Sequence, residues 1–162
     1  MKILPLVFVL SLPVAAIAQS HSQFGTSGEW AIKINPINGN GCYMEKQFDS
    51  GSLVQIGAVP DKDGAFFAIY NAAFEGVVDG EVGSVLLDFG DSRFQGEVVG
   101  AFFDGLPGGY AFFDNPEFAS EFGKRTSVRV QGKSEEFEEI DLSGSMKGLQ
   151  VIQTCQEEQE AN

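Results

Sequence analysis

The sequence predicts a mainly β protein, either a β-sandwich or a partly closed antiparallel barrel, with two short helices, one of them C-terminal. Three observations predict it. Apolar residues recur with period two in segment after segment, as half-buried strands require. Turn residues punctuate those segments at short intervals, in Asn38-Gly39-Asn40-Gly41, Asp61-Lys62-Asp63-Gly64, Asp79-Gly80, Gly90-Asp91 and Gly108-Gly109. No helical pattern of roughly 10 to 15 residues separates the strand candidates, which argues against a parallel α/β sheet.

Taken in order, Trp30, Ile32 and Ile34 alternate with Ala31 and Lys33. Leu53, Ile56 and Val59 lie in an apolar run closed by Pro60, which cannot donate to a sheet ladder. Further candidates are Ala65–Tyr70, 84–89, Arg93–Phe103, 110–113, 126–131 and 137–141, giving about nine short strands. The first helix is predicted after Asn115, whose side chain suits an N-cap. Pro116 then occupies the first helical position, Phe118 and Phe122 share a face, and Gly123 stops the helix. The second helix is predicted to begin near Ser143, with Met146, Leu149, Ile152 and Cys155 along its inner side. The polar, acidic residues 157–162 are expected to be a disordered tail.

The stretch GAFFDGLPGGYAFFDN, residues 100–115, repeats AFFD, and GAFF occurs once more at residues 64–67. Gly105, Pro107, Gly108 and Gly109 predict a turn between two aromatic strands. Neighbouring strand residues face opposite ways, so one Phe of each pair should enter the core. Phe102, Phe103, Phe112 and Phe113 are therefore either core residues or, in part, a candidate aromatic binding surface. Asp104 and Asp114 are candidate carboxylates, because paired acids at strand ends could serve glycoside hydrolysis or a hard cation. Each also has a structural role to fill, Asp104 in a turn and Asp114 before a helix cap.

The N-terminus predicts export. Lys2 precedes an apolar run from Ile3 to Pro13, and Ala16-Ile17-Ala18 forms a small-x-small cleavage site, so residues 1–18 read as a signal peptide. The run is too short for a membrane span. Removing these 18 residues from 162 leaves 144, of which residues 19–156 are expected to form one β-rich domain. The whole chain carries a net charge of −13, which disfavours nucleic acid and anionic membrane surfaces as partners. The only cysteines are Cys42 and Cys155, and an even count in an oxidising compartment predicts a bond between them.

Several chemistries lack their residues. His21 is the only histidine, which removes Ser-His-Asp triads, Cys-His dyads and two-histidine metal centres. PDKDGAFF opens like a calcium loop, but its twelfth position is Ala72 rather than a bidentate Glu. DLSGS is not a nucleophile elbow, and no phosphate-binding glycine loop is present. No catalytic residue, metal or cofactor is therefore expected.

The tryptophan strand, the sequence NGNGCYMEK, the sequence FFDNPEFASEF and the ending EIDLSGSMKGLQVIQTCQ together resemble small exported alphaproteobacterial proteins of the invasion-associated locus B family. The resemblance is clearest over residues 112–156. It implies a periplasmic β-rich domain in a family named for host invasion, and it transfers no residue-specific chemistry. The resulting expectation is a monomeric periplasmic or secreted protein, non-enzymatic, associating with a protein or envelope partner and having a role in host association. The alternative is a carboxylate-based glycan hydrolase or a calcium-dependent carbohydrate-binding protein.

Overall fold

The computed structural model describes residues 21–60, 62, 64–133 and 137–161. The expected signal peptide lies outside these residues, as do Asp61 and Asp63 of the calcium-like turn. Within them the chain forms β1 (Ser22–Ser27), β2 (Trp30–Asn35), β3 (Gly41–Gln47), β4 (Leu53–Gly57), β5 (Ala65–Tyr70), β6 (Val82–Asp88), β7 (Arg93–Phe103), β8 (Leu106–Phe113), α1 (Glu117–Lys124), β9 (Ser127–Gln131), β10 (Glu138–Asp141) and α2 (Ser145–Glu160). All ten strands join one antiparallel sheet in the order β1-β2-β3-β4-β5-β8-β7-β6-β9-β10. The edge strands β1 and β10 do not pair, so the sheet is open and sandwich-like rather than a closed barrel. Its two ends nevertheless approach: the Trp30 indole donates to the Ser143 carbonyl at 3.1 Å, and Ser50 Oγ donates to Glu138 Oε1 at 3.0 Å.

Period-two alternation sorts the side chains onto two faces. Ile32, Met44, Ile56, Phe67, Leu87 and Ile140 meet in the main core with Phe118 and Phe122 of α1. The other face carries a smaller cluster of Leu53, Ala68 and Tyr70, against which Phe66, Phe103 and Leu106 pack. Sequence periodicity overlooks β1 and β3. In β3 the charges of Glu45 and Lys46 mask the pattern, yet both are buried because both are paired. Glu45 meets Lys33 and accepts from Gln55, while Lys46 reaches Glu29 at 2.9 Å and lies over the Phe48 ring.

The AFFD repeats do flank a hairpin, but its turn is elsewhere than predicted. Phe103 pairs with Leu106, leaving Asp104 and Gly105 as a two-residue connection with φ values of 49° and 81°. Two consecutive positive φ angles define the tight hairpin turn for which Asp-Gly is suited. Leu106-Pro107-Gly108-Gly109 therefore belongs to β8. Gly108 is required there by closeness rather than by turning: a Cβ would lie 2.1 Å from the Ile69 carbonyl oxygen and 2.5 Å from the Tyr70 ring. The second AFF pairs not with the first but with the early GAFF, through Ala65–Phe113, Phe66–Phe112 and Phe67–Ala111. Hydrogen exchange should accordingly be fast at Asp104 and Gly105 and slow at Gly108 and Gly109. Fast exchange through Gly109 would contradict the β8 pairing.

Asn115 caps α1, its Oδ1 accepting from the Glu117 amide at 2.9 Å. In α2 the buried residues are Ser145, Gly148, Ile152 and Cys155, which follow the helical period more closely than the predicted Met146-Leu149-Ile152-Cys155. A constant spacing of three drifts off one face of a helix with 3.6 residues per turn. Met146 and Leu149 are displaced toward α1, near Gly123, and Met146 remains exposed. With 16 residues α2 is not short, and it continues through Glu160, where a disordered tail is predicted. Cys42 and Cys155 are bonded, joining β3 to this helix with Cα atoms 6.1 Å apart.

Candidate functional site

Four neighbouring strands lose their inward side chains in the same direction. Along β8 the inner face reads Phe113, Ala111, Gly109, and along β7 it reads Phe94, Gly96, Val98, Gly100. β6 follows with Leu87, Val85 and Gly83, and β9 with Val128, Val130 and then Gly132 immediately beyond it. At the large end the rings of Phe94, Phe113 and Phe118 fill the interior. The opposite, glycine end opens into a cleft of about 710 Å³, whose walls include Ile69, Phe74, Val77, Val85, Val98 and Val130. This volume matches the range of small-molecule sites, roughly 300 to 1,000 Å³.

Residues 71–81, between β5 and β6, form one wall of the cleft and are fastened at both ends. Asn71 Nδ2 donates to Ser52 Oγ at 2.8 Å, and its Oδ1 accepts from the Ala73 amide at 2.9 Å. At the other end the Gly80 amide donates to the Gly100 carbonyl and the Gly100 amide to the Glu81 carbonyl, each at 2.8 Å. Gly100 must lack a Cβ, which would stand 2.4 Å from the Val78 carbonyl oxygen. Gly83 and Gly132 differ: a Cβ at Gly132 meets no atom within 4 Å, and one at Gly83 meets only Val98 at 3.5 Å. Among the described residues, no side chain occupies the space over these two glycines. Glu75, Glu81, Glu138 and Lys133 supply the charge lining the cleft, with Lys133 Nζ 3.9 Å from Glu81.

A polar-aromatic network occupies the other face. His21 is part-buried between the Tyr43 and Phe103 rings, and its Nδ1 shares a hydrogen bond with the Tyr43 hydroxyl. Burial, and then the Lys33 charge, lowers the His21 pKa below its ordinary value. Burial likewise pushes the Tyr70 hydroxyl up to about 12 and raises that of Tyr43. Glu45 is held by Lys33 and by Gln55 Nε2 at 2.7 Å. Tyr43 and Glu45 thus spend their hydrogen bonds on neighbours, and the network reads as a second small core that docks the N-terminal edge to the β7–β8 tip.

The sequence candidates do not converge. Phe113 is core, and Phe102 is 53% exposed. Phe103 stacks on Tyr70 with ring centroids 5.4 Å apart, while Phe112 lies beneath Lys62 on the outer face. They do not make one aromatic surface. Asp104 sits in the β7–β8 turn and Asp114 just beyond the far end of β8, both exposed, so a strand's length of roughly 30 Å separates them. Among the described residues no group of three or more His, Cys, Asp or Glu side chains is placed to hold a metal ion. None of their helices is long and apolar enough to cross a membrane.

Charge elsewhere is structural. Asp88 is buried at the end of β6, and the Gly90 amide, followed by Arg129 and Arg93, holds its carboxyl below the usual carboxylate range. A depressed folded pKa gives stability that is present above the ordinary value near 4 and is lost as pH falls through the folded one. Asp88→Asn should therefore melt below the wild type at pH 7, and the gap should shrink on acidification toward pH 2. A gap independent of pH would contradict this role.

Compared with known proteins, no family model matches the chain, and neither the curated proteins nor the solved structures give a match.

Proposed function

We propose that this chain is an exported, non-catalytic binding protein of the periplasm or the extracellular space, and that it takes its ligand or partner into the glycine-floored cleft. The observation that carries the reading is the unfilled space over Gly83 and Gly132, in a fold that elsewhere packs its aromatic rings closely. The signal-peptide pattern of residues 1–18 and the single long-range disulfide both suit an exported protein. The resemblance to the invasion-associated locus B family adds a role in host association to the proposal. The carboxylate-based alternative gains nothing from Asp104 and Asp114, which stand at opposite ends of β8.

The test uses protein recovered after export, whose N-terminal sequence should begin at Gln19. It should brighten the neutral apolar dye N-phenyl-1-naphthylamine, and Gly132→Leu, which places a side chain in open space without a clash, should weaken that binding at least about tenfold, as loss of a filled apolar site implies. The pair Asp104→Asn and Asp114→Asn should leave it unchanged. An intact Met1 would contradict export. Undiminished dye binding by Gly132→Leu, or none by the wild type, would contradict the cleft.

A further inference from the structure

We propose that the ligand of this cleft is an amphiphilic cation, a linear apolar tail ending in an ammonium or guanidinium group. The inference rests on the binding function proposed above and specifies its chemistry. The walls are mainly aliphatic and aromatic, the polar Asn71 and Ser50 in the lining already hydrogen-bond to Ser52, Ala73 and Glu138, and the floor over Gly83 and Gly132 offers no side chain, so an extended hydrocarbon fits where a sugar or a peptide backbone would lose its hydrogen bonds. The polar end of the ligand must then lie at the mouth. There, among the described residues, the exposed Glu75 and Glu81 and the half-buried Glu138 stand against the exposed Lys133. Glu138 is steadied by the Ser50 hydroxyl at 3.0 Å, and Lys133 lies 3.9 Å from Glu81, so the mouth carries an excess of negative charge even with that pair formed. The chain's net charge of −13 adds long-range attraction for cations and repulsion for anions.

The experiment compares octyltrimethylammonium, octanol and octyl sulfate, three ligands with one tail and three head charges, by titration calorimetry against the mature chain. Affinity should fall in that order, by about tenfold or more from the cation to the sulfate, and the spread should narrow in high salt. The variant E75Q/E81Q/E138Q should abolish the ranking while still binding octanol. Should that variant fail to fold, the salt dependence of the wild type decides alone. Equal affinities, a preference for the sulfate, or a ranking that survives in the variant would overturn the cationic assignment and leave the cleft standing. Binding of none of the three would overturn the cleft reading itself.

Discussion

Replacing both cysteines, or reducing the Cys42–Cys155 bond, is expected to lower the melting temperature by about 10 to 20 °C. The bond spans 113 positions, so opening it releases nearly the whole described domain in the unfolded state. In the chain-entropy account that closure is worth about 4 to 5 kcal/mol, against a typical total stability of about 5 to 15 kcal/mol. The effect should fall first on α2. It fully buries Ser145, Gly148, Ile152 and Cys155, of which Ile152 is the one large aliphatic, and Leu149 and Val151 pack against the core only in part. Burying such a side chain contributes about 1.5 to 3 kcal/mol, whereas ordering each helical residue costs about 1 to 2 kcal/mol. Two hydrogen bonds help, from the Cys42 amide to Gln156 Oε1 at 3.0 Å and from Ser145 Oγ to the Phe122 carbonyl at 3.0 Å. The covalent clip decides the balance. Reduced protein should lose helical ellipticity before the sheet melts; an unchanged melting temperature would show that packing alone docks the helix.

The second large effect is expected from Phe118→Ala, a loss of about 3 to 5 kcal/mol. Phe118 is fully buried, stacks on Phe113 with centroids 4.3 Å apart and meets Phe94 edge-on at 5.2 Å. It also lies near Phe89 and Phe122, so four rings surround the space its removal would empty. Phe94 and Phe113 stand on strands β7 and β8, and Phe122 is fixed on α1 itself, so the cavity cannot close without moving a strand or the helix. Denaturant unfolding should show a lowered midpoint with an unchanged slope. A loss under about 1 kcal/mol would mean that the interior collapses around the gap, contrary to the close packing described.

How far the sequence discloses this structure depends on whether a signal is local. Ala65–Tyr70 and Arg93–Phe103 coincide with β5 and β7, because the first is a short continuous apolar run of β-prone residues, the second alternates over its first half, and turn residues bound both. Asn115-Pro116-Glu117 likewise announces α1 through chemistry that acts within three residues. β3 is hidden because the partners of its charged residues lie on β2, on β4 and in the β1–β2 turn, a fact no window of sequence contains. The hairpin carries two competing turn signals: Asp104-Gly105 is the stronger one for a two-residue turn, while Gly108 and Gly109 look like turn residues and serve as gaps for neighbouring atoms. The candidate site was harder still. Gly83, Gly100 and Gly109 come from three strands and Gly132 from just beyond a fourth, and only the pairing of those strands brings them together. Glycine within a strand pattern was the available hint, since it removes packing and marks a bulge or a close approach.

The central claim is that the glycine end of the sheet is the binding surface, and amide chemical shifts measured while octyltrimethylammonium is titrated into the protein test it most directly. The predicted result is a set of saturable shifts at Gly83, Gly109, Val130 and Gly132, with the Tyr43 and Phe103 amides on the outer face unmoved. Shifts centred on the Tyr43–Phe103 face, or spread evenly over the sheet, would contradict it.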